Sequence, residues 1–118
     1  MRKIAVLGST GTIGRNTLDI VRRHRRLFKV TALAAGSNRD LLLSQIVEFR
    51  PLLVSVGTDA DAAALRRELG RRGPDILSGA EGASAAAAET SADLVVSAIA
   101  GFNGLRPTLA AVRAGKTV

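Results

Sequence analysis

Cysteine, tryptophan and tyrosine are absent from this 118-residue chain, and histidine occurs once. Without thiols there is neither a disulfide framework nor a thiolate metal site. The aromatic complement is three phenylalanines, which leaves single-stranded nucleic acid without the stacking platforms it needs. Long apolar runs are missing too. The stretch Leu94–Ala100 is interrupted by Ser97 and falls far short of the roughly 20 residues of a membrane span. Arg2 and Lys3 precede only Ile4–Leu7 before Gly8 breaks the run, whereas a secretory h-region takes about 7 to 15 apolar residues. These absences point to a cytoplasmic protein with no membrane partner.

Hydrophobic residues make up 47% and charged residues 23%, the balance of a folded domain rather than a disordered chain. The length suits one domain over residues 1–118. Arginine and lysine leave a formal charge of +7, which favours an anionic partner, either nucleic acid or a phosphorylated small molecule. The densest basic run, Arg22-Arg23-His24-Arg25-Arg26, closes a predicted helix, where cations complement the helix dipole. It reads as solvated surface, as do Arg66-Arg67 and Arg71-Arg72. Asp59 and Asp61 read as dipole-compensating residues at a helix start rather than as a metal site.

Two kinds of segment alternate. Short apolar runs at Lys3–Leu7, Lys29–Ala34, Leu52–Val56, Asp75–Leu77 and Asp93–Ile99 predict strands buried on both faces. Helical patterns fill the gaps. Ile13–Arg23 places Ile13, Thr17, Ile20 and Val21 on one side, and Asp40–Phe49 carries a stripe of Leu42, Ile46 and Phe49. A third helix is capped by Thr58 and stopped by Gly73-Pro74. Ala83–Thr90 predicts a fourth, and Gly104–Ala114 a fifth with Pro107 in its first turn. This βα alternation predicts an α/β fold, a Rossmann-like doubly wound parallel sheet. Lys116-Thr117-Val118 reads as the opening of a further strand, so a truncated domain is expected.

The first strand runs into Gly8-Ser9-Thr10-Gly11-Thr12-Ile13-Gly14, a G-x-x-G-x-x-G turn that leads into the first helix. Gly8 lets the chain turn, Gly11 lets a pyrophosphate approach the backbone, and Gly14 brings the helix close to the sheet. Free amides near Thr10, Gly11, Thr12 and Ile13 would face the phosphates. The alternative is a tight turn that binds nothing. After the second strand, where NAD sites place a carboxylate, the chain reads Ala35-Gly36-Ser37-Asn38-Arg39. Ser37, Asn38 and Arg39 can donate to a 2′-phosphate, which favours NADP(H); Asn38 is equally suited to capping the second helix. Ala98–Gly104, after the fifth strand, leaves room for the cofactor's central part or serves as a loop with Asn103 as cap.

These motifs resemble the N-terminal cofactor domain of the 1-deoxy-D-xylulose 5-phosphate reductoisomerase family. The likeness runs through Ile4–Gly14 and Thr17-Leu18-Asp19, then Ala35-Gly36-Ser37-Asn38, Gln45, Glu48-Phe49 and Pro51. It ends in Ala98-Ile99-Ala100-Gly101, Pro107–Ala111 and Ala114–Thr117. Thr12 stands where serine is common in the family and keeps the hydroxyl.

The resemblance implies an NADP-dependent oxidoreductase of isoprenoid biosynthesis. With Mg or Mn, such an enzyme rearranges and reduces a sugar phosphate, 1-deoxy-D-xylulose 5-phosphate, to 2-C-methyl-D-erythritol 4-phosphate. It implies that Thr10, Gly11, Thr12 and Ile13 form the pyrophosphate turn, and that Gly36, Ser37 and Asn38 form the adenosine-phosphate loop. The family's metal carboxylates, substrate-phosphate residues and lid lie beyond Val118. This chain is therefore expected to bind cofactor without turnover, with no catalytic or metal residue of its own. A homodimer is compatible with the full-length protein. The rival readings are another NADP-dependent dehydrogenase of the semialdehyde dehydrogenase type, a non-catalytic nucleotide-sensing Rossmann domain, and a nucleic-acid binder using the +7 charge.

Overall fold

The computed structural model describes residues 1–99 and 104–118. The expected loop segment 100–103, with Asn103 as a cap, lies outside them. Strand β1 (Arg2–Leu7) is followed by α1 (Thr12–Arg23), β2 (Phe28–Ala34), α2 (Arg39–Phe49) and β3 (Leu53–Val56). Then come α3 (Asp59–Leu69), β4 (Asp75–Ser78), α4 (Gly79–Ala87), β5 (Leu94–Ser97) and α5 (Leu105–Arg113), with a 3-10 turn at Gly70–Arg72 after α3. The strands pair in parallel in the order β4-β3-β2-β1-β5. The chain thus winds outward from β1 to β4, then crosses back to lay β5 against the free side of β1. That reversal makes the carboxyl edge between β1 and β5 the switch point of a doubly wound sheet, the place where such folds bind ligands.

The two faces are built differently. Ile4, Val6, Val30, Leu33 and Val54 pack against Leu18 and Val21 of α1, Leu42, Ile46 and Phe49 of α2, and Leu65 of α3. The opposite face is almost all alanine: Ala5, Ala32 and Ala34 meet Ala86 and Ala87 of α4 and Ala111 of α5. Small side chains let α4 settle close to the sheet. A Cβ on Gly82 would lie 2.5 Å from Ser55 Oγ. A bulge in β2 adjusts the alternation, because Ile4 pairs with Val30 but Ala5 with Ala32. The extra residue, Thr31, is buried and turns its hydroxyl to the Ile4 carbonyl at 3.4 Å.

Three expectations change. The buried face of α1 is Gly14, Leu18 and Val21, whereas Ile13 and Ile20 are 63% and 55% exposed. The helix docks through Gly14, whose missing Cβ would lie 2.1 Å from the Gly8 carbonyl oxygen. That contact rotates the stripe one residue round from the one periodicity selects. Helix α4 starts at Gly79, four residues before Ala83, and stops at Ala87; Glu89 then folds a turn, its carboxylate accepting the Ser91 N–H at 3.0 Å. Strand β5 ends at Ser97 rather than Ile99, because β1 turns away at Gly8 and the last rung is Ala98 N–H to Leu7 O at 2.9 Å. Thr117 pairs in parallel with Leu94, the single bridge made by the Lys116–Val118 segment.

The basic run Arg22–Arg26 is exposed throughout, as expected, yet two of its arginines are tied down. Arg22 donates to Glu48 Oε1 at 2.8 Å and Arg25 to Glu48 Oε2 at 3.2 Å. Both guanidinium groups lie over the Phe49 ring, at 5.5 and 5.0 Å from its centroid. Together they clamp the C-terminus of α1 onto α2, at the end of the molecule away from the glycine turn.

Candidate functional site at the carboxyl edge of the sheet

Strands β1 and β2 end side by side, with Leu7 opposite Ala34. This brings the two glycine-bearing turns together. Gly8 N–H and Ser9 N–H both donate to the Ala34 carbonyl, at 2.7 and 3.0 Å. Gly8 adopts φ +81°, and a Cβ there would lie 2.6 Å from the Ala98 carbonyl oxygen, so both the turn and the contact with the β5 exit require glycine. Gly14 is required by its contact with Gly8.

Gly11 and Gly36 are different. Gly11 has φ −79° and ψ 177°, ordinary extended backbone, and, its chain neighbours aside, a Cβ would come no nearer than 3.6 Å to any described residue, the contact being with Gly8 O. Around Gly36 nothing among the described residues lies within 4 Å of the Cβ position. Neither residue is glycine for the sake of the protein's own packing. Both keep open a path to the backbone from outside.

That backbone carries unpaired donors. Gly11 is the N-cap of α1 and offers no side-chain cap. The first intrahelical bond is Arg15 N–H to Gly11 O, 2.9 Å, so the amides of Thr12, Ile13 and Gly14 have no helical partner. Thr10 N–H also lacks a partner among the described residues. By contrast α2 and α3 are capped: Asn38 Oδ1 accepts Leu41 N–H at 3.3 Å and Thr58 Oγ1 accepts Asp61 N–H at 3.2 Å. Of the residues singled out by sequence, Thr10 is half-buried, while Gly11, Thr12, Ile13, Gly36, Ser37 and Asn38 are exposed at this edge. The cap commits Asn38 Oδ1 to α2, and the Asn38 NH₂ makes no hydrogen bond among the described residues, so it remains available as a donor. Arg39 is held by Asp61 on α3, Nη1 to Oδ1 at 3.2 Å.

Beside these donors is a hollow of about 350 Å³ whose lining includes Gly8, Ala34, Gly36, Val56, Ala83 and Ile99. Its walls are small and apolar, suited to a flat ring. Two larger hollows, of about 570 and 810 Å³, open on the opposite, amino edge among Arg25, Lys29, Arg50 and Arg72, away from both glycine turns.

Two residues that support the glycine turns were not read as candidate site residues from the sequence, although Gln45 was part of the family likeness. Gly57 has no room for a Cβ, which would lie 2.7 Å from the Gly36 carbonyl oxygen, and its N–H holds that carbonyl at 2.9 Å. Its signal was a glycine directly after a strand, the pattern of Gly8 and Gly36. Gln45 is 5% exposed and donates Nε2 to the Ser9 carbonyl at 2.8 Å. Its signal was a polar residue on the apolar stripe of α2. Among the described residues no three His, Cys, Asp or Glu side chains converge as a metal site, and no helix is long and apolar enough to cross a membrane.

Known proteins share this fold. The family model described as 1-deoxy-D-xylulose 5-phosphate reductoisomerase matches residues 4–118. Enzymes of that name from Geotalea uraniireducens and Chlorobium phaeobacteroides (strain BS1) are 53% and 51% identical over 118 residues, all of this chain and 31% of their own length. A crystal structure of DOX-P reductoisomerase in complex with NADPH, fosmidomycin and magnesium superposes with a TM-score of 0.92 at 39% identity, over 98% of this chain and 29% of that one. The Zymomonas mobilis enzyme in complex with NADPH gives 0.89 at 33% identity, over 98% of this chain and 30% of that one. This chain spans about 31% of the length of the curated relatives it matches. On the matched model, the identities and the shared fold, the chain belongs to the 1-deoxy-D-xylulose 5-phosphate reductoisomerase family.

Proposed function

We propose that residues 1–118 are the NADP(H)-binding domain of a reductoisomerase, which with a divalent metal converts 1-deoxy-D-xylulose 5-phosphate to 2-C-methyl-D-erythritol 4-phosphate. The observation that carries this reading is the pair Gly11 and Gly36. They leave two openings at one sheet edge, beside unpaired amides, that the protein's own packing does not use. In a member of this family, with relatives crystallised with NADPH, the ligand that fits is a dinucleotide. Its pyrophosphate would sit on the amides of Thr10, Thr12 and Ile13, where the positive end of α1 favours anionic charge. Its adenine would enter the apolar hollow between Gly36 and Ala83. Its 2′-phosphate would take donors from Ser37 and the free NH₂ of Asn38, with no carboxylate at the end of β2 to repel it. When bound, the cofactor supplies hydride. The residues of this chain bind and orient it.

We assign no metal ligand and no substrate-binding residue within this chain; on this reading the sugar phosphate and the Mg or Mn ion are held by other parts of the enzyme. A cytoplasmic location and a homodimeric full-length enzyme complete the proposal. Isothermal titration of the chain with NADPH and NADH tests it. A saturable site that prefers NADPH is expected; a folded chain that takes up neither overturns the assignment.

A further inference from the structure

We propose that Gln45 is a positioning residue for the pyrophosphate turn, acting through the Ser9–Thr10 peptide; this rests on the NADP(H) reading above. Gln45 lies on the buried face of α2 with Leu42, Ile46 and Phe49, a place where an apolar side chain would serve packing as well. Instead its Nε2 crosses to the glycine turn and donates to the Ser9 carbonyl at 2.8 Å. Among the described residues it is the side-chain hydrogen bond that ties α2 to that turn. Among the described residues, buried Gln45 Oε1 and the Ser9 hydroxyl have no hydrogen-bond partner, a cost that an apolar side chain at position 45 would lower.

The consequence follows from peptide geometry. In a trans peptide unit the C=O and the next N–H point in opposite directions. Ser9 N–H is fixed on the Ala34 carbonyl at 3.0 Å and Gly11 N–H on Gly8 O at 3.2 Å, but neither bond sets the plane of the Ser9–Thr10 unit between them. Gln45 does so by drawing the Ser9 carbonyl inward toward α2. Thr10 N–H, unpartnered among the described residues, is thereby aimed outward beside the open amides of Thr12 and Ile13. A turn without Gln45 keeps its glycines but loses the direction of its first phosphate donor.

The test compares two ligands that share the adenosine end. Adenosine 2′-monophosphate carries adenine and the 2′-phosphate but no pyrophosphate, whereas NADPH carries all three. In Gln45→Met, a donor-free side chain of similar length, NADPH affinity is expected to fall about tenfold or more, the loss of one hydrogen bond to a charged group. NADH should weaken by the same factor, so the preference between the two is unchanged. Adenosine 2′-monophosphate should bind as in the wild type. Equal weakening of both 2′-phosphate ligands would show a general loss of structure and overturn the proposal, as would unchanged NADPH affinity. A wild-type chain that binds adenosine 2′-monophosphate and NADPH while Gln45→Met matches it leaves the cofactor reading standing and removes Gln45 alone; a wild-type chain that binds neither removes both. If Gln45→Met does not fold, Gln45→Glu replaces it. Its buried carboxyl donates to Ser9 O only when protonated, so its NADPH affinity relative to wild type should be higher near about pH 6 than near about pH 8. A constant ratio across that range overturns the role.

Discussion

Replacing Gly11 with alanine separates binding from folding, because this glycine has no internal reason to be one. Its backbone is in the extended region open to any residue, and the added Cβ would stand 3.6 Å from the Gly8 carbonyl oxygen, an ordinary contact. Two folding effects then oppose each other. Alanine restricts the unfolded chain, which stabilises by about 0.4–1 kcal/mol, but it is a poorer N-cap than glycine by about 0.5–1 kcal/mol. The sum is near zero, and the melting midpoint should move by no more than about 3 °C. Binding has no such compensation. The methyl group occupies the approach to the amides of Thr12 and Ile13, and each charge-assisted hydrogen bond lost costs about 1.5–3 kcal/mol. Loss of one bond lowers NADPH affinity by about 10- to 150-fold. Isothermal titration alongside a thermal melt followed by circular dichroism reads both quantities. Wild-type affinity in Gly11→Ala would refute the placement of the pyrophosphate, and a large fall in melting temperature would refute the claim that the position is structurally free.

Gly14→Ala should do the reverse, placing its Cβ 2.1 Å from Gly8 O and destabilising the fold by about 1–3 kcal/mol or more; a melt like that of wild type would contradict the docking of α1 through this residue. Ser37→Asp should weaken NADPH by about 10- to 150-fold and leave NADH unaffected, and equal effects in titrations of the two cofactors would remove Ser37 from the 2′-phosphate site. Asp61→Asn releases Arg39 from its 3.2 Å ion pair and removes a negative charge, so NADPH affinity should rise on the order of twofold to fivefold at low salt and less at high salt; a fall would place Arg39 outside the phosphate's field. The Arg22 hydrogen bond holds the Glu48 carboxyl below its usual value of 4.5, against an opposing effect of desolvation. The clamp's contribution, about 0.2–1 kcal/mol for a solvent-accessible pair, is therefore complete above about pH 4.5 and lost as the pH falls through the lower folded-state value. Glu48→Gln should lower the melting temperature at neutral pH, and the deficit should shrink as the pH falls below about 4.5; a deficit that does not change with pH would show a packing effect instead.

Local pattern alone determined much of this protein. Five apolar runs of three to seven residues separated by helical periods admit little besides a parallel sheet with helices on both faces, since each run needs burial on two sides. The glycine turn was legible because it sits between a strand and a helix, and Thr58 was legible as a cap because hydroxyl side chains pair with helix amides three residues on. Tertiary structure decided what depends on approach between distant segments. Whether Gly14 or Ile13 faces the sheet is set by the carbonyl of Gly8 against the helix, not by periodicity. Helix α4 begins at Gly79 because a positive φ of +71° lets the chain pass from strand to helix without a loop, and it lies close because Gly82 meets Ser55. The motif already separated Gly8, Gly11 and Gly14 by role, but packing was needed to show that Gly57 also has backbone where a Cβ would be, and that Gly11 meets only an ordinary contact and Gly36 none among the described residues.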